Sequence, residues 1–182
     1  MAKDNITDFA DFQSFLRSTI IRNFKDAKLL EWSKIDPLLK ISTQAYYNEY
    51  LEGAIGKTFT NTGVAVIDAN NLKYINDNYG HEEVDKLLIT IASSLRNNFR
   101  HNNIFRRGGD EFVIIWPDIP EELFQKKLSQ SEQEWEQAGY SACWGATYSF
   151  QPTALQSLIA TADLLEKQEK DIYHGRARTL TK

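Results

Sequence analysis

The chain has 182 residues, 42% of them hydrophobic and 12% aromatic, and a net charge of −4. This is apolar material for one sizeable core plus a short extension, and the acidic balance excludes broad nucleic-acid binding through a basic face. No apolar run approaches the roughly 18 residues of a membrane span, and the N-terminus lacks the charged-then-apolar order of a signal peptide. A cytoplasmic chain with no membrane contact is therefore expected. Cys143 is the only cysteine, which excludes an intrachain disulfide and a cysteine-built zinc site; it reads as a small core residue.

Residues 7 to 24 predict an amphipathic helix, because Phe9, Phe12, Leu16 and Ile20 recur at three- and four-residue steps and Phe15 widens the stripe. The stripe packs either on the following domain or on its counterpart in a second chain; without a sustained heptad the first is favoured. Asp36-Pro37 marks a break, which sets a helical extension at 1–35 against a main domain at 36–182. A second helix is expected from about Thr43 to Ile55, then a loop from Gly56 to Gly63.

From Gly63 strands and helices alternate. Gly63 to Asp68 reads as a buried strand whose final acid faces a crevice. Asn70 to Asn78 predicts a short helix, and Glu82 to Phe99 a longer one with Val84, Leu87, Leu88, Ile91, Leu95 and Phe99 on one face. Arg106-Arg107-Gly108-Gly109-Asp110-Glu111-Phe112, followed by Val113-Ile114-Ile115-Trp116, predicts a tight hairpin with two carboxylates at its tip. Pro120-Glu121-Glu122 opens another helix, stabilised by acids in its first turn. Tyr140 to Phe150 predicts a strand. Thr153 with Gln156 matches a capping box for a last helix to about Lys170, with Leu155, Leu158, Ile159, Ala162 and Leu165 on its inner face.

If the strand ending in Asp68 pairs beside the hairpin, Asp68, Asp110 and Glu111 surround one crevice. Three hard oxygen donors without cysteine or a close histidine pair select Mg²⁺ or Mn²⁺ over zinc. Magnesium takes few protein carboxylates and fills its octahedron with water and phosphate oxygens, so the expected substrate is a nucleotide. The helix beginning near Asn70 would add free backbone N–H groups for phosphate. Each piece alone has a plainer explanation: Asp68 as a helix cap, Gly108-Gly109-Asp110 as a surface turn, Lys73 and Lys170 as solvated charges.

Their joint order resembles the GGDEF family, the diguanylate cyclases, from about Asp36 to Lys170. The signature Gly108-Gly109-Asp110-Glu111-Phe112 is complete and is preceded by Arg106. It is joined by Asp68, Lys73-Tyr74-Ile75-Asn76-Asp77, Gly80-His81, Asp85, Gly145, Ala162-Asp163 and Lys170 at the family's spacing. The resemblance implies an α+β, palm-like fold with a central, mainly antiparallel sheet flanked by helices. It also implies condensation of two GTP to cyclic di-GMP with release of two pyrophosphates. Asp68, the carbonyl of Ala69 and Asp110 would hold the metal, with Glu111 completing the cluster; Asp110 is also the family's candidate proton acceptor. Asn76 and Asp85 match the guanine readers, a carboxylate suiting guanine's N1–H and amino donors. His81 matches the turn histidine and Lys170 the phosphate lysine, with Lys73 near the phosphates. Since one site holds one GTP, the reaction needs a homodimer, at least a transient one; a regulatory protein partner is also compatible.

The sequence departs from the family in several places. The opening pattern Asp-x-Leu-Thr-Gly-Leu-x-Asn-Arg stands here as Asp36-Pro37-Leu38-Leu39-Lys40-Ile41-Ser42-Thr43-Gln44, without its glycine or arginine, so a remodelled turn is expected. The second acid after the first strand is Asn70, and the basic position after Lys170 falls on His174, with Arg176 displaced. The product-binding Arg-x-x-Asp motif is replaced by Phe99-Arg100-His101-Asn102. Two other readings compete with an active cyclase: a non-catalytic module that binds GTP or a partner, and a cyclase making a different cyclic dinucleotide.

Overall fold

The structure, a computed structural model, describes residues 17–22 and 34–180, with side chains through residue 175. The chain divides into two compact units, Met1–Lys34 and Ile35–Lys182. In the first, residues 17–22 are helical (α1) and expose Ile20 and Ile21; the rest of the predicted stripe, including Phe9, Phe12, Phe15 and Leu16, lies outside the described residues.

The second unit is built on one antiparallel sheet. Its central strand β2 (Thr62–Ala69) is buried along its whole length and pairs with β4 (Glu111–Trp116) on one side and β5 (Ala142–Ser149) on the other; β3 (Ile104–Arg106) extends the β4 edge. A strand covered on both faces needs apolar side chains at every position, which is why Val64-Ala65-Val66-Ile67 is continuous rather than alternating. Side chains of directly opposite residues share a face. Ala65, Ile67, Phe112 and Ile114 therefore point to α4 (His81–Asn98) and α5 (Glu121–Gln137). Val64, Val66, Val113 and Ile115 point to the other face, where α2 (Gln44–Gly53) and α6 (Leu155–Leu180) supply Tyr47, Leu155, Leu158, Ile159 and Ala162. The short helix α3 (Leu72–Tyr79) joins β2 to α4 through Gly80, at φ 83°.

Three features differ from expectation. The Gly56–Gly63 loop contains a two-residue strand, β1 (Thr58–Phe59), paired with β6 (Thr153–Ala154). Thr153 is thus a strand residue, not a helix cap: its hydroxyl donates to the Gln151 carbonyl at 2.8 Å and accepts from Ser149. The inner stripe of α6 ends on Glu166, which is buried, while Leu165 is 38% exposed.

The turn before α2 keeps a left-handed residue at the position of the lost glycine. Lys40 has φ 56°, and Asp36 closes the turn by accepting from the amides of Leu38 and Leu39 at 2.9 and 2.8 Å. A β-carbon at that φ is strained, by roughly 1 kcal/mol. Lys40→Gly is therefore expected to stabilise the chain by about 1 kcal/mol, a rise in melting temperature of about 2–4 °C, read by thermal unfolding.

Candidate active site

The hairpin between β3 and β4 turns through Arg107, Gly108, Gly109 and Asp110. Neither glycine is left-handed, since the glycines with positive φ are Gly56, Gly80 and Gly139. The hairpin is instead held by Arg106, whose guanidinium donates to the carbonyls of Gly108 (3.2 Å) and Gly109 (2.8 Å) and to Asp36 Oδ2 (2.7 Å). Burial pushes the Asp36 carboxyl up, but the Leu39 amide, the Arg106 guanidinium and the Leu38 amide together hold it below its ordinary range. The opening turn and the signature are thus one unit, clamped by a charge-assisted network.

Asp68 lies opposite Glu111 on one side and Cys143 on the other, on the sheet face that α6 covers. It caps no helix, because α3 starts four residues later, at Leu72 behind Asn71. Lys170 places its ammonium 2.7 Å from Asp68 Oδ1. Burial nonetheless dominates and pushes the Asp68 carboxyl above its usual range, with the charges of Asp110 and Glu111 adding to the push. Burial also acts against the Lys170 charge, but the Asp68 carboxylate outweighs it and the lysine's pKa is raised. Glu111 is held by Arg107 Nε at 3.2 Å, and Arg107 Nη1 reaches Asp163 at 2.6 Å.

Asp68, Ala69, Lys73, Asp110, Lys170 and His174 line a crevice of about 530 Å³, together with the β2–α3 turn. The turn is pinned at its start to both neighbouring segments: the Ala69 amide donates to the Asp110 carbonyl at 3.1 Å, and the Asn70 amide to the Ser141 carbonyl at 2.9 Å. Asn71 is left-handed at φ 63° and reaches the Tyr173 hydroxyl of α6 at 2.7 Å. The first-turn amides of α3, which lack intrahelical acceptors, belong to Leu72, Lys73 and Tyr74 of the same wall.

The predicted residues fall into two groups. Asp68, Ala69, Lys73, Asp110 and Lys170 meet in the crevice. Glu111 lies beside Asp68 but is bound to Arg107, and among the described residues no group of three or more His, Cys, Asp or Glu side chains is assembled to hold a metal. Asn76, His81 and Asp85 do not line the crevice. His81 opens α4 and Asp85 lies one turn on, both exposed, while Asn76 on α3 buries its Oδ1 without a hydrogen-bond partner. Sequence reasoning missed the Arg107 and Glu166 contributions; an arginine beside the signature and an acid within an apolar stripe were the available signals.

A family model described as "Diguanylate cyclase, GGDEF domain" matches residues 33–174. The chain is 37% identical over 153 residues to diguanylate cyclase DgcP of Pseudomonas aeruginosa, covering 78% of this chain and 22% of that one. It is 33% identical over 102 residues to diguanylate cyclase DgcN of Escherichia coli, covering 54% and 25%. A Bacillus subtilis relative, the uncharacterized protein YtrP, is 33% identical over 88 residues, covering 48% and 15%. The chain thus spans a quarter or less of the length of these curated relatives. In fold it is similar to the coiled coil and GGDEF domain of DgcB from Caulobacter crescentus in complex with c-di-GMP, at TM-score 0.67 and 18% identity, covering 88% of this chain and 94% of that one. It is also similar to SiaD of Pseudomonas aeruginosa in complex with its activator SiaC, at TM-score 0.63 and 20% identity, covering 89% and 68%. With the palm-like sheet, the complete signature hairpin and a match over residues 33–174, the chain belongs to the GGDEF-domain family.

Proposed function

We propose that the chain is a diguanylate cyclase that condenses two GTP into cyclic di-GMP and two pyrophosphates at a two-fold interface, each subunit presenting one GTP. The observation that carries this reading is the meeting of Asp68 with the signature hairpin at a crevice where a cation, the Lys170 ammonium, already stands on the Asp68 carboxylate. The diguanylate cyclases among its relatives support it.

The donors fit a hard divalent cation, Mg²⁺ or Mn²⁺, which takes a couple of protein oxygens and completes its shell with phosphate and water. Asp68, the Ala69 carbonyl and Asp110 would hold it, joined by Glu111 on release from Arg107. Bound there, the metal supplies charge stabilisation at phosphate and a lowered pKa for the attacking 3′-hydroxyl. The chain's own residues orient the substrate: Lys73, Lys170 and the first-turn amides of α3 face the phosphates, and Asp110 accepts the proton. Asn76 Oδ1, a buried acceptor without a partner, suits a guanine amino donor, and Asp85 with His81 extends that side along α4. GTP as substrate places the reaction in the cytoplasm, and no described helix is long and apolar enough to cross a membrane. A regulatory partner is in keeping with the activator complex of SiaD.

One incubation tests the proposal: purified protein with Mg²⁺ and either GTP or ATP, products resolved by chromatography. The expected result is cyclic di-GMP from GTP, none from ATP, and loss of product in Asp110→Ala. No turnover with either nucleotide at high protein concentration would overturn it in favour of a GTP- or partner-binding module.

Weak feedback by the product is also expected. Phe99, at the first position of the missing Arg-x-x-Asp motif, is buried and packs edge-on against Trp116 and Phe124, with ring centroids 5.4 and 6.0 Å away. A core aromatic offers cyclic di-GMP no charge or hydrogen bond. Initial rates measured against added cyclic di-GMP should stay level at low product concentrations; tight, non-competitive inhibition would contradict this.

A further inference from the structure

Glu166 is a buried acid that the proposed chemistry does not use. The buried stripe of α6 runs through Leu155, Leu158, Ile159 and Ala162, and the next residue in it is Glu166, only 5% exposed. An apolar residue would satisfy that position, whereas the carboxylate leaves its Oε1 buried without a hydrogen-bond partner. Burial pushes its pKa above the ordinary range; the charge of Lys170 and, less, that of Arg107 oppose this, while Asp68 and Glu111 reinforce it. Lys170 follows one helical turn later, the spacing and order in which a glutamate and a lysine face each other. Its ammonium is bonded to Asp68 at 2.7 Å. One cation therefore stands beside two carboxylates and is bonded to the one that the proposed function assigns to metal.

We infer that Glu166 is a positioning residue for Lys170, taking over the ammonium when Asp68 turns to a divalent cation and so keeping the lysine at the crevice wall. The inference rests on the metal-dependent reading above. Asp68 cannot serve Lys170 and a metal equally, so metal binding frees a partly buried ammonium. A neighbouring carboxylate lowers the cost of that exchange, and its absence raises it. Glu166 also lies where α6 comes close to the sheet, since a β-carbon at Gly145 would stand 2.2 Å from the Glu166 amide nitrogen. That close approach fixes the helix on which both residues ride.

The test is Mn²⁺ affinity, measured by electron paramagnetic resonance without nucleotide, for the wild type, Glu166→Gln, Lys170→Met and the double variant. Glu166→Gln is isosteric; Glu166→Leu, which continues the apolar stripe, serves as a second variant if the first fails to fold. Loss of Glu166 is expected to weaken Mn²⁺ about fivefold when Lys170 is present, the scale of a partly exposed ion pair, and to change nothing in the Lys170→Met background. An equal loss in both backgrounds would mean that Glu166 acts directly on the metal or on the fold, and would overturn the inference. No loss in either background would do the same while leaving the proposed function intact. A wild type that binds no Mn²⁺ would overturn the inference, while the proposed function stands or falls on turnover.

Discussion

Gly145→Ala is expected to destabilise the chain by about 3 kcal/mol, lowering its melting temperature by roughly 10 °C, and to separate Lys170 from Asp68. The added β-carbon would lie 2.2 Å from the Glu166 nitrogen, 2.3 Å from the Ala162 oxygen and 2.7 Å from the Leu165 carbonyl carbon. All three are helix backbone, which cannot turn aside as a side chain does. Helix α6 must lift off β5 as a unit, loosening Leu158, Ile159 and Ala162 from the sheet; each fully buried leucine or isoleucine is worth about 1.5–3 kcal/mol. The same shift carries away Lys170, which bridges to Asp68 from that helix. Thermal unfolding reads the first effect, and a metal titration of the surviving folded fraction reads the second. Unchanged stability would mean that α6 does not lie this close to the sheet.

That approach marks where local reading of the sequence stops. The strand through Val64 to Ile67, the stripe of α4 and the Gly108-Gly109 hairpin were legible because each writes its own periodicity or turn chemistry into adjacent residues. Strands β1 and β6 were not, since Thr58↔Ala154 and Phe59↔Thr153 pair two-residue segments from opposite ends of the domain and neither is long enough to show a period. Thr153 carried a capping signal, but its hydroxyl found Gln151 and Ser149 first, and the strand pairing fixed its backbone. At Lys40 the missing glycine suggested a different turn. The structure keeps the left-handed backbone there because Asp36 holds the turn through two amides and is itself held by Arg106. In the site, residue types pointed to Asp68 and Asp110 as acids at a crevice. That Lys170 stands on Asp68 and Arg107 on Glu111 depends on α6 and the hairpin meeting, a long-range fact that no local pattern encodes.

Asp68→Asn should reduce turnover on the order of a thousandfold or more, the several kcal/mol that a correctly held metal supplies, while leaving the melting temperature equal or higher. The two halves of this result have one cause. Burial, reinforced by Asp110 and Glu111, outweighs the help of Lys170 and holds the Asp68 pKa above the ordinary carboxylate value. Between that value and the native pKa the folded chain keeps a proton that the unfolded chain has released. The group's favourable contribution is thus complete below about pH 4 and lost as pH rises through the native pKa. At neutral pH burial makes the ionised carboxylate costly; the neutral amide avoids that cost and gives up the Lys170 bridge, the smaller influence on Asp68. Melting curves taken from pH 4 to 8 should show wild-type stability declining relative to the variant as pH rises, and the variant should lack that component. A marked drop in the variant's melting temperature at pH 7 would show instead that the Lys170 bridge, not burial, governs Asp68. Retained turnover would remove Asp68 from the metal site. On the proposed function, a carboxylate whose charge is disfavoured by burial stands where the divalent cation would bind, an arrangement that suits chemistry better than stability.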